Sequence, residues 1–245
     1  MSPSRLPSRR PSQARRRQIS VHPIHAAVVV LSVASVWLLL PQLRAPQPLD
    51  PGLPPPAELF AQIAEGPPRL KDHTYKRTEF GSGWGPARLP GQEACTAREA
   101  ALLAQAPHSP PTPGSCERPA EIFDPYSGTT LHLEDLPRPP EADHVLPLSA
   151  AWDLGASQWS TQLRVEFAND PLNLVVTSRE ANQAKSDQLP SQWMPPQRHT
   201  HCWYSQRLGA VAYKYSLALP AEDLARMRAS CRYFRLRDYI ARLGG

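Results

Sequence analysis

The chain has 245 residues, 27 Lys and Arg against 22 Asp and Glu, and a formal charge of +5. That length suits one domain of ordinary size plus extensions, and no solenoid-period repeat is visible, which excludes a repeat array. Seven arginines and no acidic residue lie in 1–44, leaving 20 basic and 22 acidic residues, net −2, for the remainder. A globally basic body is therefore excluded, and any attraction to nucleic acid must come from a local patch.

Residues 1–23 are rich in Arg, Ser and Pro and form a basic amino-terminal segment. Ile24 to Leu40 is apolar for seventeen residues, broken by His25, Ser32 and Ser35. Arginines before an apolar run place the carboxy-terminal side across the membrane. The run sits at the short limit of a spanning helix and above a usual signal core. No clean Ala-x-Ala follows Leu40, so an uncleaved transmembrane anchor at 24–40 is favoured over a signal peptide. Residues 41–68 hold nine prolines and read as an extended linker, with a short helix over 57–65. The main domain is then expected over 69–245.

Within that domain Cys95 and Cys116 enclose a proline-rich loop at 107–113, and Cys202 and Cys231 lie near the carboxy end. An even cysteine count in an exported chain favours disulfides. Four cysteines allow three pairings; Cys95–Cys116 with Cys202–Cys231 is expected. The competing reading is zinc, because His199, His201 and Cys202 are close together, but no Cys-x-x-Cys is present. Next come Ala142-Asp143-His144-Val145-Leu146-Pro147, a strand ending in a loop at Pro147. A short helix over 148–154 ends at Gly155. A second helix over 157–167 has Ser157 or Ser160 as its N-cap. Residues 172–177 read as a strand and 179–186 as a helix carrying Asn182 and Lys185 on one face. Residues 207–217 look extended, with Val211, Tyr213, Tyr215 and Leu217 alternating. Pro220 opens a last helix, with Glu222 and Asp223 complementing its dipole. Its apolar set is Leu224, Met227, Phe234 and Tyr239. Six arginines from Arg226 to Arg242 form the best basic patch, or a solvated helix face.

The order Asp143-His144, then Asn173-Leu174, then Asn182-x-x-Lys185 resembles an HNH nuclease. Each residue type suits one task in metal-assisted phosphodiester hydrolysis. Asp143 offers a carboxylate oxygen and Asn182 an amide oxygen, both matched to Mg²⁺ or Mn²⁺, which take few protein ligands. The cation would stabilise transition-state charge as a Lewis acid. His144, with an ordinary pKa of about 6.5, would take a proton from the attacking water. Asp143 and His144 are adjacent, so both reach one site only if the strand curves. Asn173 is placed to hold the His144 segment by a side-chain to backbone bond. Lys185, one helical turn beyond Asn182, is a candidate phosphate contact.

The chain resembles the HNH endonuclease family related to the carboxy-terminal domain of GmrSD-type restriction enzymes, in its secreted actinobacterial form. The resemblance covers roughly residues 70–243. It rests on Tyr75-x-Arg77-x-x-Phe80-Gly81-x-x-Trp84, Cys95-Thr96-Ala97-Arg98-Glu99 and Asp124-Pro125-Tyr126-Ser127-Gly128. Ala168-Asn169-Asp170-Pro171-Leu172-Asn173-Leu174 and Trp193-Met194-Pro195-Pro196 also match. Members often carry Asp-Thr-Arg after the first cysteine; here it is Thr96-Ala97-Arg98, which leaves Arg98 as the phosphate contact. The resemblance implies an α+β fold with a ββα-metal core and additional helices. His144 matches the general base, and Asp143 and Asn182 the metal ligands. The expected function is exported, metal-dependent cleavage of DNA, with no small-molecule cofactor. The alternative is a non-catalytic, membrane-tethered nucleic-acid-binding module.

Overall fold

The computed structural model describes residues 47–107 and 114–232. The basic start and the apolar stretch 24–40 lie outside them, as do Phe234 and Tyr239 and the tail arginines beyond Arg232. Among the described residues no helix is long and apolar enough to cross a membrane.

Helix α1 (Pro56–Gln62) begins with Pro at its first position, where the missing N–H has no intrahelical partner to lose. Its Leu59 and Phe60, with Ile63 beyond it, join the main hydrophobic core. Helix α1 lies where the short helix over 57–65 was expected, and the described part of the proline-rich segment, from residue 47, packs on the folded body through Leu49, Leu53, Leu59 and Phe60. Strand β1 (Glu65–Gly66) pairs in parallel with β6 (Leu219–Pro220). A 3-10 turn at Arg77–Phe80 follows. Its Phe80 is buried against the rings of Trp152 and Phe167.

Helix α2 (Ala97–Ala104) is opened by a capping box in which Thr96 and Glu99 bond each other's backbone. The box sits beside the Cys95–Cys116 disulfide. Strands β2 (Glu121–Asp124) and β3 (Thr129–His132) form an antiparallel hairpin. Its corner holds Gly128 at φ 65° and an Asp124 Oδ1 that accepts from the Tyr126 N–H.

Strand β4 (Glu141–His144) pairs antiparallel with β5 (Leu174–Thr177), with Asp143 opposite Val175 and His144 opposite Leu174. Between them run α3 (Leu148–Asp153) and α4 (Thr161–Ala168). Ser160, not Ser157, caps α4 by accepting from Leu163 N–H. Helix α5 (Arg179–Lys185) follows β5 directly, capped by Ser178.

Residues 207–217 are not extended. Helix α6 (His201–Lys214) covers most of them. The apparent alternation is overruled by a helical set, since Tyr204, Leu208, Val211 and Tyr215 are buried while Tyr213 is exposed. The helix is buried on most of its surface, as expected at the centre of a core. At Gly209 an added Cβ would come within 2.9 Å of the Phe60 ring, so α1 crosses α6 closely there. Helix α7 (Ala221–Ser230) is preceded by Pro220 at the N-cap and joined to α6 by the Cys202–Cys231 disulfide. Its Leu224 and Met227 are fully buried. The result is a mixed α/β fold with three two-stranded sheets among the described residues.

Candidate active site

One cavity of about 430 Å³ gathers Arg98, Asp143, His144 and Asn182, together with Arg77 and Trp84. Strand β4 ends at its wall. Ala142 packs with the α2 cluster, and Glu141 and Asp143 face α5, so the two faces of the strand feed one cleft.

Asn173 is fully buried. Its Oδ1 accepts from Leu146 N–H at 2.8 Å, and its Nδ2 donates to the Leu146 carbonyl at 3.2 Å. The Val145 N–H also donates to the Asn173 carbonyl at 2.8 Å. These bonds carry the β4–β5 pairing past the strand ends and hold the chain where His144 turns towards the cleft.

The His144 ring is fixed on two sides. Its Nε2 lies 2.8 Å from the Ala168 carbonyl, which can only accept, so Nε2 carries the hydrogen and Nδ1 keeps a lone pair. The Trp84 ring stacks on it, with centroids 5.5 Å apart and planes 17° apart. Burial drives the imidazole far below its ordinary range, to about 3, against the opposing pull of the Ala168 carbonyl. At neutral pH the ring is therefore uncharged.

Asp143 is held by two donors that the sequence alone did not assign to it. Tyr126 Oη donates to its Oδ2 at 2.6 Å. Lys185 Nζ donates to Oδ1 at 3.0 Å and lies 2.9 Å from Oδ2. The same ammonium donates to the His144 carbonyl at 2.8 Å. Burial pushes the Asp143 carboxyl up and the Lys185 ammonium down, and the contact between them opposes both shifts. Lys185 is fully buried, so it does not present a charge to a phosphate. The helical spacing that puts it on the Asn182 face instead aims it beneath the strand.

Asn182 donates from Nδ2 to Glu141 Oε2 at 2.8 Å. A carboxylate can only accept, which turns the amide oxygen away from Glu141. Glu141 is also 3.2 Å from Arg179. Arg98, in the first turn of α2, donates to the Pro140 carbonyl just before β4, at 3.4 Å. His199 and His201 do not line the cleft; His201 Nε2 lies 2.8 Å from the Pro195 carbonyl. Arg226 and Arg228 of α7 do not line it either.

The donor set fits a hard divalent cation. Asp143 Oδ1 accepts from Lys185, and a carboxylate has about four lone-pair sites on its two oxygens, which suits it to a cation. The Asn182 amide oxygen borders the same cavity, and one carboxylate with one amide oxygen is a chemistry that Mg²⁺ or Mn²⁺ accepts.

Trp84, Tyr126 and Glu141 had no role in the reading of the sequence. Trp84 and Tyr126 stand in segments quoted above, but nothing in the spacing shows that they meet residues 60 and 17 positions away, His144 and Asp143.

The family model for the C-terminal domain of GmrSD restriction endonucleases matches residues 116–215, which include β2 to β5, α5 and α6. An "Uncharacterized secreted protein" of Arthroderma benhamiae is 32% identical over 186 residues, covering 73% of this chain and 86% of that protein. No solved structure matches the chain. With the matched stretch containing both strands that carry the cleft, the chain belongs to the family of the GmrSD restriction endonuclease C-terminal domain.

Proposed function

We propose that this chain is a metal-dependent endonuclease of the HNH type that hydrolyses DNA phosphodiester bonds, with β4, β5 and α5 as its ββα-metal core. The observation that carries the reading is a buried, uncharged His144 sharing one cavity with oxygen donors of Asp143 and Asn182. Family membership supports nuclease chemistry, because the matching model is that of a restriction endonuclease domain.

In this reading His144 Nδ1 is the base. It takes a proton from a water as that oxygen forms a bond to phosphorus and the bond to the leaving oxygen breaks. The Ala168 carbonyl keeps Nε2 protonated, so the lone pair stays on the nitrogen that must accept. Asp143 and Asn182 would hold the cation, which when bound stabilises the charge gathering on the phosphate oxygens. Tyr126 and Lys185 hold the Asp143 carboxylate in place. Asn173 fixes the turn that carries His144, and Arg98 contacts a phosphate oxygen from the far wall.

Export is part of the proposal. It is supported by two disulfides and by the printed name of the fungal relative, with residues 24–40 as the signal or anchor segment. A plasmid-nicking assay tests the reading. Supercoiled DNA should be nicked with Mg²⁺ or Mn²⁺ and left intact with EDTA. Binding of DNA without cleavage in any divalent metal would favour a non-catalytic module instead.

A further inference from the structure

Arg77 has no role in the site as described so far, yet it borders the same cavity as His144. It begins the 3-10 turn Arg77–Phe80, and its side chain is exposed. The guanidinium carbon sits 5.9 Å from the centroid of the Trp84 ring. Trp84 is in turn stacked on His144. Trp84 thus meets both Arg77 and the proposed base at the cavity wall.

The turn that carries Arg77 and the loop that carries Trp84 are each tied down by hydrogen bonds. Arg164 is buried and donates from Nε to the Glu79 carbonyl at 3.1 Å, tying the turn to α4. Beyond Trp84, the Gly85 N–H donates to Asn169 Oδ1 at 2.7 Å, and its carbonyl accepts from Ala97 N–H at 2.8 Å. Asn169 follows Ala168, whose carbonyl holds His144. One short segment therefore fixes the base and the loop that carries its stacking partner.

The cations of the cleft differ in what they are free to bind. Lys185 is buried under Asp143, whereas Arg98 and Arg77 each give one hydrogen bond to a neighbour, Pro140 and Tyr75, and have further N–H groups beyond it. Arg77 makes no ion pair with a carboxylate among the described residues. The Arg77 guanidinium gives its hydrogen bond to Tyr75, a neighbour in the cavity wall; an exposed guanidinium anchored in this way beside an aromatic ring is pre-positioned, has further N–H groups beyond that bond, and matches a phosphate in geometry. We propose that Arg77 is a substrate-binding residue that grips a backbone phosphate flanking the scissile one, held in register with His144 by Trp84. Trp84 is then a positioning residue for both.

This rests on the nuclease reading above, and the test separates the two. DNA affinity of the purified protein is measured in EDTA across a salt series, and cleavage kinetics in Mg²⁺. Losing one phosphate contact should make the log–log salt slope shallower by about 0.9. Arg77→Gln should show that change and a several-fold higher KM, with kcat within about twofold. Arg77→Lys should recover the slope but only part of the KM, since it keeps charge without the flat fork. Trp84→Phe should stay near wild type. Trp84→Leu should show the Arg77→Gln binding loss together with a fall in kcat. If the wild type cleaves with a clear salt slope and Arg77→Gln changes neither slope nor KM, the assignment of Arg77 is overturned while the nuclease reading stands. If the wild type neither binds nor cleaves DNA, both fall.

Discussion

Burial redirects the charge on Lys185. Its spacing from Asn182 placed it on the right face of α5, but the ammonium is sealed against Asp143 and the His144 carbonyl. Removing one member of a buried ion pair leaves the other charge uncompensated, at a cost of about 3–5 kcal/mol. Lys185→Met should therefore lower unfolding stability by about that amount in denaturant titration. A loss below about 1 kcal/mol would show that Asp143 does not depend on this partner. Asp143→Ala and Asn182→Ala should each raise the Mg²⁺ concentration needed for half-maximal nicking, because each removes one of few protein ligands. Unchanged metal affinity of both variants by calorimetry would refute the ligand assignment. The meeting of Asp143, His144 and Asn182 in one cavity, with Asn173 bonded to the backbone beside them, was legible from residue type and order. The partners that fix them were not. Tyr126 reaches Asp143 and Trp84 reaches His144 only through the fold, and an aromatic residue in a sequence reads first as core.

At the scale of elements, capped helices and strands with a clear period were readable. Ser160 and Ser178 mark the starts of α4 and α5, and the apolar run of β5 marks the buried strand. Helix α6 was not, because a helix buried nearly all round has no polar face to reveal its period. Helix α1 falls within the short helix expected over 57–65, but its place in the core, through Leu59 and Phe60, was masked by the proline-rich residues around it. The Cys95–Cys116 bridge anchors the start of α2 and so the place of Arg98. A double Ser variant at these positions should lose roughly 2–4 kcal/mol. Hydrogen exchange should rise first in α2 and around residue 98, before β4 and β5. Faster exchange in β4 and β5 with α2 unchanged would place the bridge's effect elsewhere.

For the molecule as a whole, the buried neutral His144 links stability to pH. Its folded-state pKa lies below the unfolded value of 6.5, at about 3, so the unfolded chain binds the extra proton between them. Stability from this group is full above pH 6.5 and falls as pH drops towards 3. Replacing His144 with Asn should flatten that part of the curve; identical wild-type and variant curves would mean that the ring is not held neutral by the fold.

The claim on which everything else depends is that His144 is the base of a nuclease. The direct measurement is single-turnover nicking of supercoiled plasmid by wild type and His144→Ala, side by side at saturating Mg²⁺. Removal of a general base should slow cleavage by about 10²–10⁴-fold, with DNA binding retained. Nicking by His144→Ala within about twofold of wild type would contradict the account.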